Sequence, residues 1–317
     1  ICKAIERSTG TVLIYSKYLK GGLLPIALAL EEMGISRYCY ASHVSSLLKE
    51  KQPPLDPLTM KPKKDNSDLH AKYVMITGTM EYSPDNVKDL ERVFHPDNKD
   101  GRLVKVVLIS QAGSEGIDFK CIRQVHILDP WYNMSRIEQI IGRAVRNKSH
   151  CQLPFSQRNV EIYMHSTIDG EKETADMYMY RLAESKAIQI GQITRVLKES
   201  AVDCLLNIDQ NKFLEENMNT EVELELSTNK KKIQFKVGDK AFSSKCDYME
   251  SCEIQCVPTE DTVAIQKQTV TYNVSHLRQN YDQVAKRIRQ LFKEKAFYKR
   301  DDMVKEIQIG KPYPLPD

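Results

Sequence analysis

The chain has 317 residues, of which 41% are hydrophobic and 28% are charged, and its formal net charge is +3. This balance suits a soluble globular chain with enough core for two domains or one large one, and the small charge says little about partners. No apolar run approaches the length of a membrane span, which argues against a membrane protein. The eight cysteines, without a signal-peptide layout at 1–10, predict a reducing compartment where thiols are free or bind metal.

The first half of the chain alternates short apolar runs with helical spacing. The apolar runs predict strands at 10–16, 35–41, 72–77, 104–109, 124–129 and 159–165. Helices are predicted at 23–33, 86–94 and 136–147, with Ser83 as cap and Pro84 as first-turn proline of the second. This alternation predicts an α/β fold, a mostly parallel sheet flanked by helices. The Pro- and Lys-rich tract 42–71 is interpreted as a surface insertion, ordered poorly or by a partner.

From residue 168 the pattern predicts a mixed α+β region. Helices are expected at 170–186 and 192–207, followed by a hairpin at 220–237, a cysteine-rich segment at 246–256 and strands at 262–274. Two more helical stretches follow at 278–297 and 299–309. We therefore predict a first domain at 1–168 and a C-terminal region at 169–317.

A glycine-rich turn follows the strand predicted at 104–109. Gly113 and Gly116 bracket Ser114 and Glu115, and glycines there let backbone N–H groups turn toward a phosphate or ribose. Asp118 could accept from a hydroxyl or orient an arginine. An ordinary strand-to-helix turn explains two glycines equally well, so this motif alone is weak evidence.

The helix predicted at 136–147 has two different faces. On a helical wheel, one face is apolar and the other carries Arg136, Gln139, Gly142, Arg143 and Arg146. Two guanidinium groups one turn apart suit a polyanion better than a carboxylate, because each can bind phosphate oxygens bidentately. A solvated basic face is the alternative, which the nearby glycine-rich turn makes less favourable.

The order of these motifs resembles motifs V and VI of superfamily 2 helicases and translocases. GSEGID precedes QIIGRAVR, which matches the Q-x-x-G-R-x-x-R pattern, and TVLIYS is similar to the strand of motif IV. FKCIRQVHILDPWYN, LKESAVDCLLN and CDYMESCEIQC resemble the helicase-like transcription ATPases of nucleocytoplasmic large DNA viruses. These include the poxvirus early transcription factor large subunit and nucleoside triphosphatase I, and relatives in African swine fever virus and mimiviruses. The helicase resemblance covers about 10–166, and the viral one extends to about 256.

This resemblance implies the second RecA-like lobe of a nucleic-acid-dependent ATPase. Arg143 and Arg146 would reach the γ-phosphate of ATP, the second as arginine finger, and Gln139 would couple that contact to domain closure. Segment 113–118, with Ser114 and Glu115 near the interface, would link the nucleotide to nucleic acid, favoured to be duplex DNA. The resemblance also implies a role in viral transcription, a viral RNA polymerase or transcription factor subunit as partner, and a location in the host cytoplasm and virion.

The sequence lacks the parts of an ATP site that bind phosphate and Mg²⁺. There is no G-x-x-x-x-G-K-[ST] motif and no Asp-Glu pair after a suitable apolar strand. Residue 1 is Ile and the last residues, IGKPYPLPD, lack a natural stop. We therefore expect a fragment whose ATP and Mg²⁺ need a first RecA-like lobe upstream, and which does not hydrolyse ATP alone. The alternative is a non-catalytic helicase-like scaffold that binds promoter DNA or RNA polymerase.

Two further patterns leave alternatives open. Cys204, Cys246, Cys252 and Cys256 could form a tetrahedral zinc site, but only the last pair has knuckle spacing, so ordinary buried cysteines are favoured. Residues 286–300 hold seven basic residues and one acid, which fits a phosphate-binding helix or a solvated charge run equally well. Trp131 could stack on a base, although a packing role is favoured.

Overall fold

The computed structural model describes residues 1–41, 46–63, 69–111, 116–205, 220–238, 240–257 and 274–307. The chain divides into two compact units, Ile1–Val257 and Pro258–Asp317. The strands predicted at 262–274 fall on residues 262–273 outside the described part and on Val274, which begins a helix. None of the described helices is long and apolar enough to cross a membrane.

A sheet of six parallel strands forms the centre of the first unit. In chain order the strands are β1 (Thr11–Tyr15), β2 (Ser36–Arg37), β3 (Lys72–Ile76), β4 (Val106–Ile109), β5 (Ile122–Ile127) and β6 (Glu161–Met164). They lie in the order β2-β3-β4-β1-β5-β6, and every neighbouring pair is parallel. The predicted parallel sheet is confirmed, although the strand predicted at 35–41 is only two residues long.

Helices cover both faces of this sheet. They are α1 (Cys2–Arg7), α2 (Leu24–Glu32), which follows a π-helical turn at Leu19–Leu23, α3 (Asn86–Val93) and α4 (Met134–Ala144). Leu13 and Tyr15 of β1 pack in the core cluster that includes residues of α3 and α4. Val12 and Ile14 pack in the cluster that includes residues of α1 and α2. Because successive strand side chains point to opposite faces, β1 contributes to both clusters and is apolar from Val12 to Tyr15.

The cap of α3 differs from the prediction. Asp85, not Ser83, caps the helix, and its carboxylate accepts from the backbone N–H of Lys88 at 3.0 Å. The Ser83 hydroxyl instead donates to the carbonyl oxygen of Thr77 at 2.9 Å. A serine hydroxyl can bond a backbone group at a helix start or in a neighbouring turn, and here it bonds the backbone just after β3.

Part of the tract predicted as a surface insertion belongs to the core. Leu55 and Met60 are 8% and 9% exposed and pack with the residues of α2. The buried carboxylate of Glu31 in α2 accepts from the Ser46 hydroxyl and from the backbone N–H of Leu48 at 3.0 Å. The described residues 46–63 are therefore ordered by contacts within the chain, which corrects the expectation of a poorly ordered tract.

The remaining elements extend the first unit and build the second. The first unit adds α5 (Ala175–Ser200) and an antiparallel hairpin of β7 (Glu221–Glu225) and β8 (Lys232–Lys236). A single helix thus replaces the two predicted at 170–186 and 192–207, whereas the hairpin is confirmed. The second unit contains α6 (Val274–Glu294) and α7 (Arg300–Ile307). The domain boundary at 168 stays a prediction.

Candidate functional site

The loop after β4 lies at the carboxyl edge of the sheet, where open parallel sheets bind ligands. Gly113, Ser114 and Glu115 lie outside the described residues. Gly116 has a φ of +74°, in the left-handed region that favours glycine, and a Cβ added there would meet nothing within 4 Å. The backbone at Gly116 is therefore open to an approaching ligand.

Arg143 lies in the last turn of α4 and is bonded to this loop. Its Nη1 donates to the carbonyl oxygen of Ile117 at 3.3 Å, and its own carbonyl oxygen accepts from the backbone N–H of Phe119 at 3.0 Å. Three residues of α4 are buried in the core cluster: Ile137, Ile140 and Ala144. Their burial fixes the helix on the sheet and confirms the predicted apolar face. Arg143 lies in the last turn of the helix and is half-buried.

Arg146 lies beyond α4, which corrects the prediction of one helix over 136–147. The helix ends at Ala144, and Val145 has non-helical backbone angles (φ −104°, ψ 89°) and is 45% exposed. The backbone N–H of Arg146 donates to the Ser149 hydroxyl at 3.2 Å rather than to a helical carbonyl. This side-chain contact competes with the next helical turn.

Arg146 contacts the same loop through an ion pair with Asp118. Arg146 Nη1 lies 3.7 Å from Asp118 Oδ1, and Lys120 Nζ lies 3.4 Å from Asp118 Oδ2. Asp118 therefore lies within ion-pair distance of Arg146, and which of its two predicted roles it has stays a prediction. Because the Arg146 side chain is 58% exposed, the ion pair is weak and the guanidinium is free to exchange it for a stronger anion.

Gln139 and Gly142 lie on the open side of α4. Gln139 is exposed, and its Oε1 accepts from Arg136 Nη1 at 3.3 Å. A Cβ added at Gly142 would meet nothing within 4 Å. Packing within the described residues therefore does not require glycine at this position, and the surface beside Arg143 is accessible.

A second polar cluster, missed by the sequence analysis, surrounds Trp131 at the same edge of the sheet. Trp131 Nε1 donates to the Tyr15 hydroxyl at 3.1 Å, and Lys17 Nζ and Arg136 Cζ lie 4.9 and 5.5 Å from Trp131 ring centroids. The Asp129 carboxylate accepts from the Lys17 backbone N–H at 2.5 Å, and burial raises the pKa of Asp129. The half-buried Trp131 packs against the core, as favoured. The sequence offered one signal for this cluster. Lys17 follows β1 and Asp129 follows β5, so both lie at the carboxyl edge of the parallel sheet.

The four cysteines considered for zinc lie in two disulfides, Cys204–Cys256 and Cys246–Cys252, with Cα atoms 5.8 and 4.5 Å apart. The expectation of free or metal-bound thiols is therefore wrong for these four. Zinc binds cysteine as thiolate, so the paired sulfurs do not offer the tetrahedral set. Cys204 and Cys246 are buried, as the favoured alternative predicts.

Comparison with known proteins bears on the lobe that carries this site. Residues 58–148 match the model of the helicase conserved C-terminal domain. The resemblance to a helicase C-terminal lobe is confirmed. Among solved structures, the C-terminal part of the Fun30 ATPase domain overlaps 57% of this chain and 43% of its own, at 16% identity and a TM-score of 0.35, a likeness too slight to bear on function.

Several viral proteins are similar to this chain in sequence. Nucleoside triphosphatase I of Choristoneura biennis entomopoxvirus is 35% identical over 140 residues, 43% of this chain and 21% of the relative. Two putative ATP-dependent RNA helicases of Acanthamoeba polyphaga mimivirus also match. R350 is 39% identical over 130 residues (38% of this chain, 15% of the relative), and L377 is 27% identical over 270 residues (77% and 22%). The matches thus span about a fifth of each relative or less.

Proposed function

We propose that the chain is the second RecA-like lobe and C-terminal region of a nucleic-acid-dependent ATPase, and that Arg143 and Arg146 complete an ATP site held by a first lobe. One observation carries this proposal. The two guanidinium groups converge on Ile117 and Asp118, at the open carboxyl edge of the sheet, from positions inside and beyond α4. A polyphosphate is the ligand class that two adjacent, permanently charged forks suit best.

The two arginines differ in how firmly they are held, which suggests different roles. Arg143 donates to a backbone carbonyl and sits half-buried, so its position is set before a ligand arrives. Arg146 is exposed and bound only at 3.7 Å to Asp118, so it can move to the γ-phosphate and act as arginine finger. Such a residue stabilises the charge spread over the transferred phosphoryl oxygens and is worth about 10³–10⁵ in rate.

The residues around these arginines fit an incoming nucleotide. The open surfaces at Gly116 and Gly142 would let phosphate oxygens approach the backbone closely. ATP and Mg²⁺, bound by the first lobe, supply the reacting phosphoryl group and the metal charge. Within this lobe Asp118 pairs with Arg146 until the γ-phosphate takes the place of the Asp118 carboxylate. Gln139 lies one helical turn before Arg143, where it would contact the first lobe as the two lobes close.

The site is connected to the loop proposed to contact nucleic acid. The carbonyl oxygen of Arg143 accepts from the backbone N–H of Phe119, directly after segment 113–118. A displacement of that loop by nucleic acid would therefore pull on the end of α4. This bond offers a physical route for nucleic acid to change the position of Arg143.

The names of the relatives support the activity, since they include a nucleoside triphosphatase and putative ATP-dependent RNA helicases. We further propose, from the viral resemblance, a role in transcription on duplex DNA, with a viral RNA polymerase or transcription factor subunit as partner. The corresponding location is the viral factory in the host cytoplasm, and the virion.

The test is ATP hydrolysis by the whole protein with and without duplex DNA. We expect DNA to stimulate turnover and Arg146→Ala to lower kcat by about 10³-fold or more, because the finger acts mainly in the transition state. Arg181→Ala, which removes an exposed arginine bonded to Glu173, is the matched control and should leave kcat unchanged. The 317 residues alone should not turn over ATP.

Two results would contradict the proposal. Turnover by the isolated chain that Arg143→Ala abolishes would show that no first lobe is needed. No stimulation by DNA together with no effect of Arg146→Ala would leave the non-catalytic scaffold as the better interpretation.

A further inference from the structure

The outer face of α6 in the second unit carries an unneutralised basic stripe, Lys286, Arg289 and Lys293. At 100° per residue these positions lie within about 60° of one another on the helix. All three side chains are exposed. The opposite side of α6 faces α7, where Arg287 Nε donates to the carbonyl oxygen of Glu306 at 3.1 Å and Leu291 is 2% exposed. The helix pair thus fixes the basic stripe outward.

No carboxylate in the described part of the chain pairs with this stripe. Arg287 of α6 forms an ion pair on the side of the helix that faces α7, where its Nη2 lies 3.7 Å from Glu306 Oε2. Asp282 shares the outer face one turn before Lys286, is exposed, and makes no ion pair with it. The three charges extend over about 10 Å of helix, enough for two or three successive phosphates of a strand. A row of free cations at this spacing favours a polyanionic backbone.

Two exposed aromatic rings are close to the basic stripe in sequence. Phe297, just after α6, is 84% exposed, and Phe292 is 47% exposed. Phe292 is held edge-on by Tyr298, with ring centroids 5.7 Å apart and planes at 84°, and the Tyr298 hydroxyl donates to the carbonyl oxygen of Leu291 at 2.8 Å. One ring is therefore fixed by packing and the next is free. Flat apolar rings beside cations are the combination that binds unpaired bases and phosphates together.

We propose that this face of the second unit binds single-stranded nucleic acid, with phosphates on the basic stripe and a base stacked on Phe297. This inference deepens the proposed function by naming a second nucleic-acid site, and it rests on that function for its biological setting. A single strand fits better than a duplex, because paired bases cannot offer their faces to the exposed ring. Binding through phosphates and stacking tolerates any base sequence.

The first test measures binding of the 317-residue chain to a fluorescent oligothymidylate, without nucleotide, across a salt series. The triple variant Lys286→Ala, Arg289→Ala, Lys293→Ala should bind at least tenfold more weakly at low salt. The slope of log affinity against log salt should fall by about 2, since each lost phosphate contact on a single strand contributes about 0.7. Melting curves should be unchanged, because all three side chains are exposed.

The matched control removes the same charge elsewhere. Lys49, Lys51 and Lys61 are exposed lysines of the first unit. Their triple alanine variant should bind the oligonucleotide within about twofold of the unmodified chain. Equal losses in the two triple variants would overturn the proposal, because they would reflect net charge alone.

The second test separates stacking from general attraction. Phe297→Ala should weaken single-strand binding about tenfold and leave binding of a duplex of equal length unchanged. Phe155→Ala, at a ring 49% exposed in the first unit, should change neither. An equal loss on single strand and duplex would overturn the single-strand assignment.

The outcomes distinguish this inference from the proposed ATPase. If the chain binds no single strand, or binds it unchanged without the basic stripe, the inference fails while Arg146-dependent hydrolysis can still stand. If the stripe variant loses binding but Arg146→Ala leaves turnover unchanged, the ATPase role fails while the binding site stands.

Discussion

Two regions of the first unit are stabilised by different interactions: the sheet lobe, which contains β1–β6, and the extension, which contains α5, β7, β8 and the segment up to residue 257. In the lobe, every residue of β1, β4 and β5 is buried. In the extension, no residue of β8 is buried, and the buried positions of α5 are Ala183, Ala187, Gly191 and Arg195. The lobe thus depends on apolar burial, which is non-directional and shared among many residues. The extension depends on a few specific contacts.

One arginine makes most of those contacts. Arg195 is 6% exposed, and its Nε donates to Asp247 Oδ2 at 2.9 Å. The same guanidinium donates to the carbonyl oxygens of Cys246 and Ser251, each at 3.0 Å, and of Glu253. These bonds fix the disulfide-bearing segment on α5. A region held by two disulfides and by the polar bonds of one buried residue should be more sensitive to loss of that residue than a region held by a shared core is to any one substitution.

The largest expected effect is therefore the loss of Arg195. Arg195→Ala leaves three carbonyl groups short of a donor, while the 3%-exposed Asp247 carboxylate keeps Lys198 Nζ at 2.6 Å. Each buried group left unsatisfied costs about 1–3 kcal/mol, so we expect a loss of about 3–5 kcal/mol. Hydrogen exchange of the amides at 246–257 should accelerate accordingly, while amides of β1 and β4 keep their protection. Arg181→Ala, in a pair whose side chains are 63% and 45% exposed, should cost less than about 1 kcal/mol. Unchanged exchange at 246–257 would refute the dependence on Arg195.

A matched pair of leucines tests the other half of the comparison. Leu13 of β1 is 0% exposed, whereas Leu224 of β7 is 42% exposed. Leu13→Ala should lower the free energy of unfolding by about 2–5 kcal/mol, because it removes buried methyl groups and leaves a cavity. Leu224→Ala should stay within about 0.5 kcal/mol, as surface substitutions do. Urea unfolding followed by circular dichroism measures both, and similar losses would mean that the hairpin is buried against something in solution.

The same contrast explains which parts of the fold could be predicted from the sequence. Strands β1 and β4 are buried on both faces and are almost entirely apolar, so they were recognisable as apolar runs without knowledge of the fold. The apolar face of α4 was predictable for the same reason. Strand β5 follows this rule less well, because its buried residues include Arg123, Gln124 and His126. At Gly191 local reasoning failed, since the gap between two predicted helices fell there. A Cβ would lie 1.8 Å from the Asp247 carbonyl oxygen, so glycine serves close packing inside one helix.

The residues of the candidate site could be named from the sequence, whereas their geometry could be predicted only in part. Arg143 lies where the helical wheel placed it, but Arg146 does not, because the Ser149 hydroxyl takes its backbone N–H. The contact of Asp118 with an arginine was only one of the two roles predicted for this carboxylate. The pairing of Cys204 with Cys256 spans 52 residues, a contact that spacing cannot reveal. Periodicity predicts faces of elements, whereas these contacts depend on side chains far apart in sequence.

The smallest expected effect is the loss of stability at acidic pH. Acid should destabilise the sheet lobe and leave the Arg195 contacts unchanged. Burial and, to a smaller extent, the neighbouring His165, whose Nε2 lies 2.9 Å from His126 Nδ1, lower the pKa of His126 to about 4. In the unfolded chain a histidine titrates near 6.5. The unfolded state therefore binds more protons between these values, so stability is present above pH 6.5 and is lost as the pH falls toward 4.

We expect the unfolding free energy to fall by ~2 kcal/mol between pH 7.5 and 5, and His126→Gln to reduce that slope even if it lowers stability at pH 7.5. His95→Gln, at an exposed histidine, is the control and should leave the slope unchanged. Urea unfolding at the two pH values measures the difference. An arginine keeps its charge throughout this range, so exchange at 246–257 should not accelerate with the acid. Equal slopes in the His126 variant and the unmodified chain would show that the buried imidazole is not the origin of the acid sensitivity.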